Sequence, residues 1–161
     1  MPRIQKDITC DVPIRTAYDQ WTQFESFPQF MEGVQEVVQL DEKTLRWRAE
    51  LGGKQEEWEA EITEQVPDRH IAWRSTTGAP NAGSVLFQEE GTDRCRVTLE
   101  LSYAPRSTTE KVGDALGVVE RRVDGDLGRF KDFIEHRGAP TGVWRGEIHG
   151  GQVARDTGRR T

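Results

Sequence analysis

The sequence predicts an α+β fold: a curved antiparallel sheet of about seven strands wrapped around one long C-terminal helix, with two short helices after the first strand. Three observations lead there. Apolar and polar residues alternate through most of residues 34 to 104, turn residues separate the alternating runs, and apolar residues recur at helical spacing from Val112 to Ile134. A helix with one apolar stripe has to bury it on the one apolar face of such a sheet.

Residues 3 to 12 read as the first strand, with Ile4, Ile8, Cys10 and Val12 sharing one parity. Asp11 is placed to cap a helix whose first turn holds Pro13 and whose inner face holds Ala17, Trp21 and Phe24. Ser26-Phe27-Pro28 breaks that helix, a short turn from Gln29 to Glu32 ends at Gly33, and Val34 to Leu40 returns to strand.

Gly52-Gly53 marks a two-residue hairpin. Placing Leu51 opposite Lys54 puts Trp47 opposite Trp58, Arg48 opposite Glu57 and Arg46 opposite Glu59. Aromatics then meet on the dry face and opposite charges on the wet one, and a one-residue slip spoils both. The turn Val66-Pro67-Asp68-Arg69 reads as type I and sets Ile62 opposite Trp73 and Glu61 opposite Arg74. A longer loop, Thr77 to Gly83, precedes a last hairpin around Gly91-Thr92-Asp93, whose second strand points Cys95, Val97, Leu99, Leu101 and Tyr103 inward. Ser107-Thr108-Thr109-Glu110 forms a capping box. From there Val112, Leu116, Val119, Val123, Leu127, Phe130 and Ile134 give a helix of about 30 residues, roughly 45 Å, ended by Gly138 and Pro140.

With 161 residues the chain suits one domain, here 1–138, followed by a Gly/Arg-rich tail, 139–161, expected to be mobile unless Val143-Trp144 docks. A net charge of −6 argues against nucleic acid and against charge-driven binding to anionic lipid. No apolar run is long enough for stable membrane insertion and the first residues do not read as a signal peptide, so a cytoplasmic protein is expected. Cys10 and Cys95 form no metal or redox motif, and neither metal nor cofactor is expected.

The order of elements resembles the START-like helix-grip superfamily, within it the polyketide cyclase/dehydrase branch that includes coenzyme Q-binding proteins. The resemblance rests on Asp11-Val12-Pro13 leading to Trp21, the Phe27-Pro28 break, the strand and turn from Trp58 to Pro67, and the long final helix. It covers residues 3 to 138. It implies a cavity between sheet and helix that holds a small apolar molecule such as a lipid, quinone or polyketide, and it sets Cys10 and Cys95 on neighbouring strands. Aromatase/cyclases of the family carry an Arg inside the cavity. The matching position here is Ile62, and the aromatic at the short-helix break remains only as Phe27.

Trp47, Trp58 and Trp73 share inward parity on successive strands, either as an aromatic wall for a ligand or as core filling. Phe27, Phe30 and Met31 form the mouth or staple the short helices to the sheet. Ser75 and Tyr103 are the polar groups placed to orient a ligand or to satisfy backbone, and Phe87, Leu116 and Val119 complete the predicted lining. The final helix carries Gly113, Gly117, Gly125 and Gly128; of these Gly113 and Gly117 flank the apolar stripe, where they leave room for a ligand or let the helix approach the strands. Catalytic residues cannot be named. His70, His136 and His149 do not read as bases facing the interior, and Glu36 and Glu64 have inward parity near strand ends where a bulge or exposed rim is expected. The expected function is binding of a small hydrophobic ligand. The alternatives are a polyketide aromatase/cyclase or dehydrase and a protein-interaction module, and a homodimer is compatible with each.

Overall fold

The computed structural model describes residues 3–51, 54–78, 81–103 and 112–154, leaving aside the side chains at 51, 54, 103, 112–119 and 154. Its elements are β1 (Arg3–Cys10), α1 (Ile14–Trp21), a 3-10 helix (Phe24–Gln29), β2 (Val34–Gln39), β3 (Thr44–Leu51), β4 (Lys54–Val66), β5 (His70–Ser75), β6 (Asn81–Gly91), β7 (Arg94–Tyr103), α2 (Val112–Arg137), β8 (Glu147–His149) and β9 (Gln152–Ala154). The sheet runs β1-β7-β6-β5-β4-β3-β2 with every pairing antiparallel, and α2 packs its stripe of Val123, Leu127, Phe130 and Ile134 into the concave face.

The register of the central hairpins is the one their side chains require. Trp47 lies opposite Trp58, Arg46 opposite Glu59 and Arg48 opposite Glu57; across β4 and β5, Ile62 meets Trp73 and Glu61 meets Arg74. The parity of Glu36 and Glu64 resolves as bulges. Register shifts fall between Val34 and Glu36 and between Ile62 and Glu64, which turn both carboxylates outward, Glu36 to Arg48 at 3.6 Å and Glu64 to His149 at 3.4 Å. Cys10 and Cys95 face each other directly across β1 and β7, both free thiols and fully buried.

Four local expectations are corrected. Asp11 does not cap α1: the helix begins at Ile14 behind Pro13, too far on for that side chain, which instead accepts from Arg94 Nε at 3.2 Å while its backbone N–H donates to Glu135 at 2.6 Å. The Phe27-Pro28 pair does not separate two helical turns, because it lies inside the 3-10 helix, whose tighter winding tolerates Pro28. The turn at Pro67 is type II rather than type I, since Asp68 has φ +63° and Arg69 N–H bonds Val66 C=O at 3.0 Å. Finally, residues 139–154 are packed on the domain rather than loose. The Gly52-Gly53 turn and the capping box at Ser107 to Glu110 lie outside the described residues.

That packing is built on buried polar groups. The side-chain amide of Gln20, on α1, exchanges hydrogen bonds with Thr141 at 2.8 and 3.1 Å. Arg145 forks between Asp19 at 2.5 Å and Asp68 at 2.8 Å, with its guanidinium 5.4 Å from the ring centre of Tyr18. Burial pushes the Asp19 carboxyl above the ordinary range, and Arg145 opposes that shift. The same fork pins Asp68 in its left-handed conformation, which an unrestrained Asp adopts at a cost. Beyond it β8 adds to β4, setting fully buried Ile148 opposite Gln65.

Arg145→Ala leaves Asp19, whose side chain is 4% exposed, with only the more distant and exposed Arg15 at 3.7 Å. The expected loss is about 3 kcal/mol, a Tm drop of roughly 6–12 °C for a domain this size, with Arg145→Lys recovering part of it in urea and thermal unfolding. Burial also raises the thiol pKa values, Cys10 to about 12 and Cys95 to about 11. A thiol-specific disulfide reagent is therefore expected to leave both unreacted over minutes in the native protein and to titrate both at once in denaturant.

Candidate functional site: an aromatic cavity

The registers above place Trp47, Trp58 and Trp73 on one face of three adjacent strands, and α2 crosses in front of them. Between them lies a cavity of about 160 Å³. Its sheet wall is the Trp47–Trp58 pair, stacked with centroids 5.8 Å apart and planes 3° from parallel, extended by Trp73, Leu99 and Leu101. Val123 and Leu127 of α2 face it, and Trp21, Phe27 and Met31 close it from the α1 side. A smaller void of about 10 Å³ lies farther into the core, lined by Ile62, Ile71, Val85 and other apolar residues, and Trp21, Phe27, Trp47 and Trp73 border both spaces.

Polar groups gather at one end of the cavity. Arg122 projects from α2, donates from Nη1 to Glu32 C=O at 2.8 Å and Glu50 C=O at 3.1 Å, and lies 3.7 Å from the Glu32 carboxylate. It rests on Gly33, whose φ of +86° and lack of a side chain are both required: a Cβ there would collide with the guanidinium. One turn along, Asp126 accepts from Glu32 N–H at 2.9 Å and from Arg129 at 2.5 Å. Arg129 in turn donates to Phe30 C=O at 3.1 Å. The segment from Phe30 to Gly33 is thereby tied to α2 by three side chains. Burial raises the pKa of Asp126 above the ordinary carboxylate value, even though Arg129 and the Glu32 N–H favour its ionised form.

The sequence-predicted lining residues divide by position. Phe27, Met31, Trp47, Trp58 and Trp73 border the cavity, and Ile62 borders only the smaller void. Phe30 is turned away from the space, packed on Phe130 and Phe133 at 5.3 Å each, and Phe87 meets Tyr18 edge-on at 5.3 Å. Both serve the core because the 3-10 helix turns Phe30 toward α2, and α1 covers the end of β6 that holds Phe87. Ser75 accepts from Asn81 N–H at 3.0 Å, where it closes the loop between β5 and β6. The side chains of Tyr103, Leu116 and Val119 lie outside the described residues, as do the surroundings of Gly113 and Gly117 in the same helix.

Sequence reasoning missed Trp21, read as a helix-packing residue, and the polar rim of Arg122, Asp126 and Asn81. The charges on α2 could not be assigned to a wall without knowing how the helix rotates on the sheet. Among the described residues, the buried indole N–H groups of Trp21 and Trp47 meet no acceptor, and no three His, Cys, Asp or Glu are grouped to hold a metal ion.

Residues 10–132 match the family described as polyketide cyclase / dehydrase and lipid transport. An uncharacterized 17.2 kDa protein of Streptomyces lincolnensis is 48% identical over 149 residues, which is 92% of this chain and 99% of that one. Among solved structures, a Deinococcus radiodurans protein is 29% identical with a TM-score of 0.68, covering 85% of this chain and 99% of that one. The Zhui aromatase/cyclase of a Streptomyces species has a TM-score of 0.75 at 16% identity, over 89% of this chain and 99% of that one. A START superfamily protein of Mycobacterium smegmatis has a TM-score of 0.67 at 13% identity, over 84% and 95%. The helix-grip architecture read from the order of elements is thus the fold these structures share, and the chain belongs to the polyketide cyclase / dehydrase and lipid transport family.

Proposed function

We propose that the protein binds a small hydrophobic molecule between the tryptophan wall and α2. The observation that carries this reading is the cavity of about 160 Å³ with almost wholly apolar walls. Apolar walls of that extent are unfavourable to leave against water, and a hydrophobic guest that covers them gains both desolvation and packing contacts. Family membership supports the same reading. No helix among the described residues is long and apolar enough to cross a membrane.

Native mass spectrometry of freshly purified protein is expected to detect a retained apolar molecule, and β-naphthol is expected to bind the emptied protein. Ala49 lies on the cavity wall and is 2% exposed, so Ala49→Leu fills the space. Titration should then find β-naphthol binding weakened about tenfold or more without loss of Tm. Equal binding by both proteins would sink the reading.

A second reading, proton-transfer chemistry on a polyketide-like substrate, is favoured by Asp126 on the cavity wall with its raised pKa. The cationic group that the family's cyclases carry on the strand is Ile62 here, fully buried beside the smaller void. Arg122, the guanidinium bordering the cavity, is bonded to two backbone carbonyls at its rim. Binding without turnover is the better-supported conclusion.

Asp126 gives binding a pH signature. A neutral guest strips remaining water from this carboxyl and so raises its pKa further, and by linkage affinity rises as pH falls through the already raised folded value. β-Naphthol affinity is expected to increase roughly three- to tenfold across that step. Asp126→Asn should flatten the profile; an unchanged slope in that variant would place the titrating group elsewhere.

A further inference from the structure

Trp73 on β5 lies opposite Gly83 on β6, and Gly83 lies opposite Leu101 on β7. Trp73 and Leu101 both border the cavity, so all three positions face α2. A Cβ built on Gly83 would sit 2.5 Å from Trp73 Cζ2, 2.8 Å from Cε2 and 3.0 Å from Cη2. The six-membered ring of the indole therefore lies directly on the Gly83 backbone, laid across β6 instead of standing up into the cavity. Glycine inside a strand sacrifices packing and conformational entropy, and close approach of another group is the usual reason for one. Here the approaching group is the ring.

Trp73 also belongs to the partition between the two voids, together with Trp21, Phe27 and Trp47. The height at which its indole rests thus fixes the floor of the main cavity. Ordinary carbon–carbon contact begins near 3.5 Å, so any side chain at position 83 has to displace the ring by about 1 Å. The β6 backbone blocks one direction, the paired Ile62 stands on β5's other side and the smaller void of about 10 Å³ has no room for the ring, which leaves the cavity as the way out. The space set by the resting indole, about 160 Å³, compares with the roughly 150 Å³ that encloses a benzene molecule in an engineered core. The parallel planes of Trp47 and Trp58 add a flat wall beside it.

We propose that Gly83 is the specificity-determining residue of this site: by letting Trp73 lie flat on β6 it sets the depth of the cavity, and it limits the buried part of a ligand to a planar apolar group of one or two fused rings. The proposal rests on the hydrophobic-ligand reading above and adds to it a size limit and the residue that imposes it. Longer or polar portions of a ligand would extend past the rim at Glu32 and Asn81.

The test is calorimetric titration of the full chain with β-naphthol, which has two fused rings, and hydroxypyrene, which has four. The unaltered protein is expected to bind β-naphthol at least tenfold more tightly than hydroxypyrene. Gly83→Ala should weaken β-naphthol binding tenfold or more by lifting the indole. Trp73→Leu removes the partition and should shift the preference toward hydroxypyrene by about tenfold, and Gly83→Ala combined with Trp73→Leu should bind both probes within about threefold of Trp73→Leu alone, because no ring is left to collide with the new methyl group. Should Gly83→Ala fail to fold, recovery of folding in the double variant, together with the probe preference of Trp73→Leu, decides the question. Unchanged β-naphthol affinity in Gly83→Ala, no recovery in the double variant, or an unchanged preference in Trp73→Leu would each overturn the proposal. Equal affinity of the unaltered protein for both probes would overturn the size limit alone, whereas binding of neither would count against the hydrophobic-ligand reading itself.

Discussion

The cavity depends first on the pairing of β3 with β4, which decides which side chains face α2. In the observed register Trp47 and Trp58 stack on the concave face while Arg46–Glu59 and Arg48–Glu57 meet on the convex one. A slip of one residue would put charge inside and indoles outside, and no local adjustment could repair both faces. From the stacked pair a chain of ring contacts continues to Phe27 at 5.6 Å, to Trp21 at 5.3 Å and to Phe130 of α2 at 5.1 Å. The rings act as a strut: they join sheet and helix through α1 and the 3-10 helix, and they hold the two far enough apart to leave a space.

Charged groups reinforce this strut at two places without entering it. Near the cavity rim Arg122, Asp126 and Arg129 tie the segment from Phe30 to Gly33 to α2, using backbone groups that have no partner in secondary structure. On the C-terminal segment Arg145 joins Asp19 of α1 to Asp68 of the β4–β5 turn. Both arrangements have short, forked guanidinium contacts, which fix direction as well as distance. By contrast, the exposed pair of Arg48 and Glu36 on the convex face contributes a fraction of a kcal/mol at most.

The strand registers were legible because two independent patterns, aromatic and charged, agreed on them, and the fold followed from one helix stripe and one sheet face. Even the two bulges could be anticipated, since Glu36 and Glu64 would otherwise have been buried carboxylates. The site was legible only in part. Inward parity identified Trp47, Trp58 and Trp73, but parity says nothing about how far along a strand the helix crosses, so Phe87 was assigned to a space it does not border; Phe30, placed at the mouth by the break after α1, is turned instead onto Phe130 and Phe133 of α2. Arg122 and Asp126 depend on the rotation of α2 about its axis, a tertiary quantity. Arg145 was hidden in a stretch rich in glycine and arginine, because its partners Asp19 and Asp68 come from distant parts of the chain and no local pattern links the three.

The low aliphatic content that makes this sequence look polar also accounts for its hollow interior. A core built from leucine and isoleucine closes around gaps by changing rotamers, whereas indole and phenyl rings have only two side-chain torsions and keep their shape. Where ring meets ring edge-on, as in Trp21–Phe27, Phe24–Phe27 and Phe30–Phe130, neither can move without breaking several contacts at once. Gaps between such plates persist. Met31, the unbranched side chain at the cavity's edge, is the lining residue best able to yield to an entering molecule. The walls are consequently rigid and the entrance is adaptable, so little ordering entropy has to be spent when a guest is bound.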